Sequence, residues 1–136
     1  EISVSRPNTT NYQLPTTDYH IIGLTAPHGF LYKRADSWLE TRLNSGMIDE
    51  VKNLLDQKVE PLWLKSLGLE YRWLTKYLTG EIIQDYAIKR LKGDIHNFIR
   101  RQKSWFKQFE RLELFDISSP SWQNELEKKL NLCSLR

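Results

Sequence analysis

Apolar residues recur at helical spacing through most of the chain, and only a few segments break that pattern. Residues 1–18 show no periodicity and contain Pro7 and Pro15, which predicts an irregular arm. The apolar run at 19–24, closed by Pro27, is typical of a strand buried on both faces, as in a parallel sheet. No second strand of that kind is visible in the sequence. The pattern therefore predicts that the partners of this strand lie outside the chain.

The rest of the pattern predicts five helices and one more short strand. Apolar steps of three and four residues define the helices, and Gly46 and Gly80 mark two of their boundaries. The predicted helices cover about residues 30–43, 47–57, 69–79, 82–109 and 121–131. Residues 58–68 are predicted to be a connection with a short apolar turn, and residues 112–117 an edge strand. The predicted fold class is mainly α with one or two short strands, and residues 19–136 are expected to form one helical domain.

The longest predicted helix carries two parallel stripes of side chains. The apolar stripe follows the spacing of one buried face and consists of Ile83, Ala87, Leu91, Ile95, Phe98, Gln102, Trp105 and Phe109. The basic stripe runs beside it and consists of Lys89, Lys92, His96, Arg100, Lys103 and Lys107. At 1.5 Å per residue the basic stripe spans about 27 Å, which covers several successive phosphates. The spacing predicts a helix that docks by one face and presents cations on the other.

Positive charge is concentrated around this helix. The formal net charge is only +3, but residues 89–111 hold eight basic side chains and two acids. One interpretation is a solvated surface that keeps the protein soluble, and the other is a surface that binds the phosphates of RNA. The scarcity of acids favours RNA, because a merely solvated face usually mixes charges to gain ion pairs along the helix.

Three tryptophans, Trp63, Trp73 and Trp105, allow two interpretations. They could stack on unpaired RNA bases. Tryptophan at helical spacing more often belongs to the core, and this is the interpretation that we favour for Trp73 and Trp105.

The sequence lacks the motifs of several other site classes. It contains no glycine-rich phosphate-binding or dinucleotide-binding loop, and its three histidines and one cysteine form no metal-binding spacing. No apolar run approaches the roughly 20 residues of a membrane helix, so no membrane partner is expected. The single Cys133 fits a reducing compartment, and we expect a cytoplasmic protein. A start at Glu1 rather than Met suggests part of a longer protein.

A series of short motifs resembles tRNA dimethylallyltransferases, also called tRNA isopentenyltransferases. The matching segments are 22–27, 31–34, 46–51, 66–68, 77–81 and 100–107. The last of them, RRQKSWFK, is similar to the family's KRQxTWFR and is the most specific. The order and gaps agree, and the resemblance covers about residues 19–109.

The resemblance implies an activity for the parent protein. Such enzymes transfer a dimethylallyl group from dimethylallyl diphosphate, with Mg²⁺, to the N6 amine of the adenosine 3′ of the anticodon. The family resembles P-loop kinases, and its phosphate-binding loop and general base lie in an N-terminal half without a counterpart here. This chain would be the helical C-terminal part of a P-loop-type α/β transferase, noncatalytic alone and without a cofactor of its own. Its expected partners are the tRNA anticodon stem-loop and the missing P-loop core.

The resemblance also implies candidate site residues. Segments 65–70 and 100–107 match the parts of the family that hold the anticodon stem-loop. With the basic stripe, the candidate tRNA-binding residues are Lys65, Ser66, Gly68, Lys89, Lys92, His96, Arg100, Arg101, Gln102, Lys103, Ser104, Trp105 and Lys107. Arg34 matches the first of two family arginines, one of which is expected near the substrate diphosphate.

The chain departs from the family pattern at three places. Trp38 stands where the family has the second of the two arginines. The family's GYKE reads GLEY at residues 68–71, which puts the acid Glu70 beside the expected RNA. His96 replaces an arginine. These changes leave open a divergent homologue that keeps the scaffold but has relaxed catalysis.

Two further expectations complete the sequence-based picture. The alternative function is a stand-alone, noncatalytic helical module that binds RNA or a protein partner. Apolar patches are expected to be exposed around Ile21, Ile22 and Trp38, and we therefore expect some self-association of the chain.

Overall fold

The computed structural model describes residues 21–109 and 112–133, and the predicted arm at residues 1–18 lies outside these ranges. The elements in chain order are β1 (Ile21–Thr25), α1 (His28–Asn44), α2 (Met47–Asp56), α3 (Pro61–Leu67), α4 (Leu69–Leu78), α5 (Gln84–Phe106), β2 (Leu112–Asp116) and α6 (Trp122–Cys133). The order confirms the prediction of a mainly helical fold with two short strands.

Strands β1 and β2 pair in parallel along all five residues of each strand. The parallel character predicted for β1 is confirmed, but two related expectations are wrong. A partner of β1 lies in this chain, and β1 is not buried on both faces, because Leu24 is 51% exposed. At Gly23 the strands approach closely, since a Cβ there would lie 2.8 Å from a side-chain methyl of Leu114.

The main apolar core lies among α1, α2, α4 and α5. Its buried members are Leu39, Met47, Val51, Trp73, Leu74, Ala87 and Leu91. The core position predicted for Trp73 is confirmed, and its indole N–H donates to Asp94 Oδ2 at 2.9 Å. This bond satisfies the one polar atom of the buried ring.

The apolar stripe is fully buried only at Ala87 and Leu91, in the first half of α5. Ile83, just before the helix, is 72% exposed, and Phe98 and Trp105 are 47% and 50% exposed. The core position predicted for Trp105 is therefore wrong. The physical reason is that no described helix or strand covers this later part of the stripe, so the same periodicity ends at the protein surface.

The segment between α2 and α4 differs from its prediction as a connection. Residues Pro61–Leu67 form α3, and Pro61 occupies a first-turn position where its missing N–H costs no hydrogen bond. Of this helix only Leu64 is buried.

The boundary predicted at Gly80 is confirmed. The φ angle of Gly80 is 78°, and its N–H donates to the Tyr77 carbonyl at 3.0 Å after the last turn of α4.

Thr75 in α4 gives a testable prediction about stability. Its side chain is fully buried, and within the described residues its hydroxyl has no hydrogen-bond partner. We expect Thr75→Val to raise the free energy of unfolding by about 1–2 kcal/mol, because the change removes an unsatisfied polar group and keeps the shape. Urea denaturation measures this. Thr79→Val is the matched control, since the Thr79 hydroxyl donates to the Thr75 carbonyl at 2.9 Å, and a gain there too would contradict the explanation.

Candidate nucleic-acid interface

The basic stripe of α5 lies along α1 rather than open to solvent. Lys92 Nζ is 3.3 Å from Glu40 Oε1, and His96 Nε2 is 3.0 Å from Asp36 Oδ1. Both acids belong to α1. The scarcity of acids within residues 89–111 is therefore offset by acids from another helix, which a search along one helix does not find.

Two further members of the stripe form hydrogen bonds with other parts of the chain. Arg100 donates to the Tyr32 hydroxyl at 3.1 Å, and Lys103 donates to the Ala26 carbonyl at 2.6 Å. The Tyr32 ring stacks on His96, with 4.1 Å between ring centroids. The four central members of the stripe thus hold α5 to α1 and to the chain preceding it. The expectation that the stripe presents its cations to solvent is wrong for Lys92, His96 and Lys103, which are half-buried, whereas Arg100 remains exposed.

The ends of the stripe are different. Lys89 and Lys107 are exposed, and neither forms an ion pair with another residue in the described ranges. Unlike the four central members, they also form no side-chain hydrogen bond within these ranges, so they are free to meet a polyanion.

A second surface of α5, away from α1, forms an open depression of about 680 Å³. It is lined by Phe98, Arg101, Gln102, Ser104, Trp105 and Gln108. Trp105 contacts Phe106 and Phe109 edge-on, at centroid distances of 5.3 and 4.7 Å, and these contacts hold its half-exposed ring in place. The guanidinium of Arg101 is exposed and has no ion-pair partner in the described part of the chain.

An adjoining depression of about 390 Å³ lies where α1, α4 and α5 meet. It is lined by Trp38, Gly68, Leu69, Glu70, Ile95 and Phe98. Phe98 lines both depressions, so the two adjoin at that ring. We call the combined surface the aromatic groove. It brings together Gly68 from the first candidate segment and four candidate residues of the second, although the segments are about 30 residues apart in sequence.

The other candidates in the first segment serve the local structure. Lys65 forms an ion pair with Glu81, and Ser66 donates to the Trp63 carbonyl at 2.6 Å. Hydrogen bonds from Lys65 and then from Thr79 lower the pKa of the Glu81 carboxyl. The positive charge of Lys65 is thus already paired with Glu81 in the absence of RNA, whereas Arg101 has no ion-pair partner in the described residues.

Arg34, the candidate for diphosphate binding, lies on α1 with an exposed side chain. Within residues 21–109 and 112–133 it forms no ion pair or side-chain hydrogen bond. Its guanidinium is therefore available to an anion, and it does not line the aromatic groove.

The described residues contain no group of three or more histidine, cysteine, aspartate or glutamate side chains placed to hold a metal ion. None of the helices in the same ranges has the length and apolar character needed to cross a membrane.

Comparison with known proteins places the chain in a family. The protein-family model described as IPP transferase matches residues 1–109 of this chain. The chain belongs to the IPP transferase family. Curated relatives agree: the tRNA dimethylallyltransferase of Thermomicrobium roseum is 33% identical over 109 residues, which are 80% of this chain and 33% of the relative. The tRNA dimethylallyltransferase 2 of Porphyromonas gingivalis is 39% identical over 99 residues, 73% of this chain and 33% of the relative. The chain thus spans about a third of the length of these curated relatives.

Solved structures share the fold. The tRNA delta(2)-isopentenylpyrophosphate transferase of Staphylococcus epidermidis superposes with a TM-score of 0.75 at 24% identity, covering 88% of this chain and 39% of the other. The tRNA isopentenylpyrophosphate transferase of Bacillus halodurans gives a TM-score of 0.74 at 24% identity, covering 89% of this chain and 40% of the other. The resemblance found in the sequence motifs is confirmed.

Two positions where this chain departs from the IPP transferase motifs lie together in the aromatic groove. Trp38 and Glu70 both line its smaller depression. Trp38 is 47% exposed, which confirms the exposed apolar patch predicted around it. The family resemblance gave a consistent signal, because an arginine is expected at this position and an arginine position is seldom fully buried.

Proposed function

We propose that this chain is the tRNA-binding C-terminal portion of a tRNA dimethylallyltransferase homologue, and that the aromatic groove holds the anticodon stem-loop. The parent reaction would be dimethylallyl transfer to the N6 amine of the adenosine 3′ of the anticodon. In this proposal the chain does not catalyse the reaction alone.

The observation that carries the proposal is the meeting of the two candidate RNA-binding segments in one groove. Half-exposed aromatic rings and an unpaired cation, Arg101, occur side by side there. Single-stranded RNA is commonly held by this combination, in which rings stack on bases while arginine meets the backbone. The groove therefore replaces the basic stripe as the centre of the proposed interface, with Lys89 and Lys107 as outlying phosphate contacts.

The remaining parts of the enzyme would complete the donor site. We propose that a P-loop core binds dimethylallyl diphosphate and Mg²⁺ and packs on the β1–β2 sheet, where Leu24 on one face and Leu114 on the other are 51% and 49% exposed. The bound diphosphate would supply the leaving group. Arg34 fits a supporting role, because its unpaired guanidinium can meet a phosphate oxygen.

In this proposal the same sheet also mediates self-association when the core is absent. Ile21 and Ile22, expected to be exposed, are half-buried, so the proposed contact shifts to Leu24 and Leu114. A cytoplasmic location also remains part of the proposal, as the compartment of a tRNA-modifying enzyme.

Binding to the isolated stem-loop tests the proposed function. Fluorescence anisotropy of the 136-residue chain is measured with an anticodon stem-loop and with a scrambled single strand, across a range of salt concentrations. We expect tighter binding to the stem-loop and a steep loss of affinity as salt rises, because phosphate contacts release counterions. Equal, weak binding to both RNAs would contradict the proposal and would favour a module that binds a protein partner.

A further inference from the structure

The smaller depression of the aromatic groove offers two free aromatic faces. Trp38 from α1 and Phe98 from α5 are each 47% exposed, and both line it. Within the described ranges neither ring pairs with another aromatic ring. Rings fixed on two packed helices at the edge of a cavity provide a stacking surface for a flat apolar group, at little further entropic cost.

A single carboxylate lies in the same cavity. Glu70 Oε2 would lie 3.5 Å from a Cβ built on Gly68, so the carboxylate is beside the backbone that forms the cavity wall. In the described part of the chain the Glu70 side chain forms no hydrogen bond or ion pair. An ionised carboxylate only accepts hydrogen bonds, and its two oxygens suit two donors placed side by side.

The charge around the groove separates the two kinds of RNA contact. No cationic side chain lines the smaller depression, and its one charge is negative, which disfavours a phosphate there. Arg101 lies in the adjoining depression, where a phosphate is favoured. Because Phe98 lines both depressions, a phosphate at Arg101 and a base on Phe98 would use neighbouring parts of the groove.

We propose that this cavity binds one unstacked guanine base of the bound RNA, an inference that rests on the proposed function. Guanine presents its N1–H and its 2-amino group next to each other, and both can donate to the Glu70 carboxylate. Adenine, cytosine and uracil each present at least one hydrogen-bond acceptor on the corresponding edge. That acceptor would face a carboxylate oxygen, which is also an acceptor, and the two would repel each other. Stacking supplies affinity for any base, and Glu70 supplies the selectivity.

The test uses short uridine-rich RNA strands that differ in one central nucleotide. The central nucleotide is guanosine, inosine, adenosine or uridine, and binding to the 136-residue chain is measured by fluorescence anisotropy. Inosine differs from guanosine only by loss of the 2-amino group. We expect the guanosine strand to bind about tenfold more tightly than the inosine strand, which is the effect of one hydrogen bond to a charged group.

Two variants separate selectivity from stacking. Glu70→Gln keeps the size of the side chain but replaces one acceptor by a donor, and we expect the affinity ratio of guanosine to inosine to fall to about one. Because this ratio compares two strands bound by the same variant, any general gain in RNA affinity from the lost negative charge cancels. Trp38→Ala should weaken binding of all four strands by about tenfold. Trp63→Ala is the control, because Trp63 is also half-exposed, at 54%, but does not line the groove.

Several outcomes would overturn the inference. These are equal affinity of the unchanged chain for all four strands, a guanosine preference that persists in Glu70→Gln, or equal losses in the two tryptophan variants. A Trp38→Ala variant that changes the oligomeric state and leaves RNA binding unaltered would assign the cavity to a second copy of the chain. If stem-loop binding survives without base preference, this inference alone fails. If the stem-loop does not bind either, the proposed function fails with it.

Discussion

Reversing the charge of Arg101 is expected to weaken binding of the anticodon stem-loop at least tenfold at low salt. Arg101 is exposed, has no ion-pair partner in the described residues and lies on the wall of the aromatic groove. Arg101→Glu removes a phosphate contact and adds repulsion, and the slope of log affinity against log salt should fall by about one. Fluorescence anisotropy across a salt series gives both quantities.

The choice of Arg101 follows from the contacts of its neighbours. Arg100 and Lys103 hold the Tyr32 hydroxyl and the Ala26 carbonyl, so reversing their charge would disturb packing as well as RNA binding. Lys52→Glu is the matched control, since Lys52 is exposed on α2 and lies outside the groove. Equal losses in the Arg101 and Lys52 variants would mean that only net charge matters, which contradicts a localised interface.

Truncating Leu74 is expected to produce a large loss of stability. Leu74 is fully buried in the core formed by α1, α2, α4 and α5. We expect Leu74→Ala to lower the free energy of unfolding by about 2–5 kcal/mol, because the change loses apolar burial and leaves a cavity. Domains of ordinary stability have only about 5–15 kcal/mol in total. The loss would therefore be a large fraction of the whole, visible as a shift of the urea midpoint.

The control for this prediction is the same substitution on the surface. Leu62 in α3 is 70% exposed, and Leu62→Ala should change the free energy of unfolding by no more than about 0.5 kcal/mol. If both variants lost the same amount, the core described around Leu74 would not be what stabilises the fold.

The sequence predicted the longer helices well, because their apolar residues repeat over several turns. It missed α3, because Pro61 is typical of a connection and only one apolar residue of this helix, Leu64, is buried. A helix with a single buried residue has too short an apolar repeat for the sequence pattern to identify it. The pairing of β1 with β2 was also missed, since the strands are about 90 residues apart and local patterns carry no information on such contacts.

The candidate site was predicted in part, and the reason for the remainder is physical. Periodicity correctly indicated which residues share a face of α5, but not which neighbour covers that face. The basic stripe meets Asp36 on α1, whereas the stripe with Phe98 and Trp105 stays open. Which stripe is covered depends on the packing of α1 against α5, which no single-helix pattern reveals. The motif resemblance singled out segment 100–107 independently of periodicity, and four of its residues line the aromatic groove.

Photo-crosslinking is the measurement that tests the central claim most directly. A thiouridine-substituted anticodon stem-loop is irradiated with the chain, and mass spectrometry identifies the crosslinked residues. An interface at the aromatic groove predicts crosslinks within residues 67–70 and 98–108, reduced in the Arg101→Glu variant and unchanged by Lys52→Glu. Crosslinks concentrated on α2 or α6, or spread evenly over the surface, would contradict it.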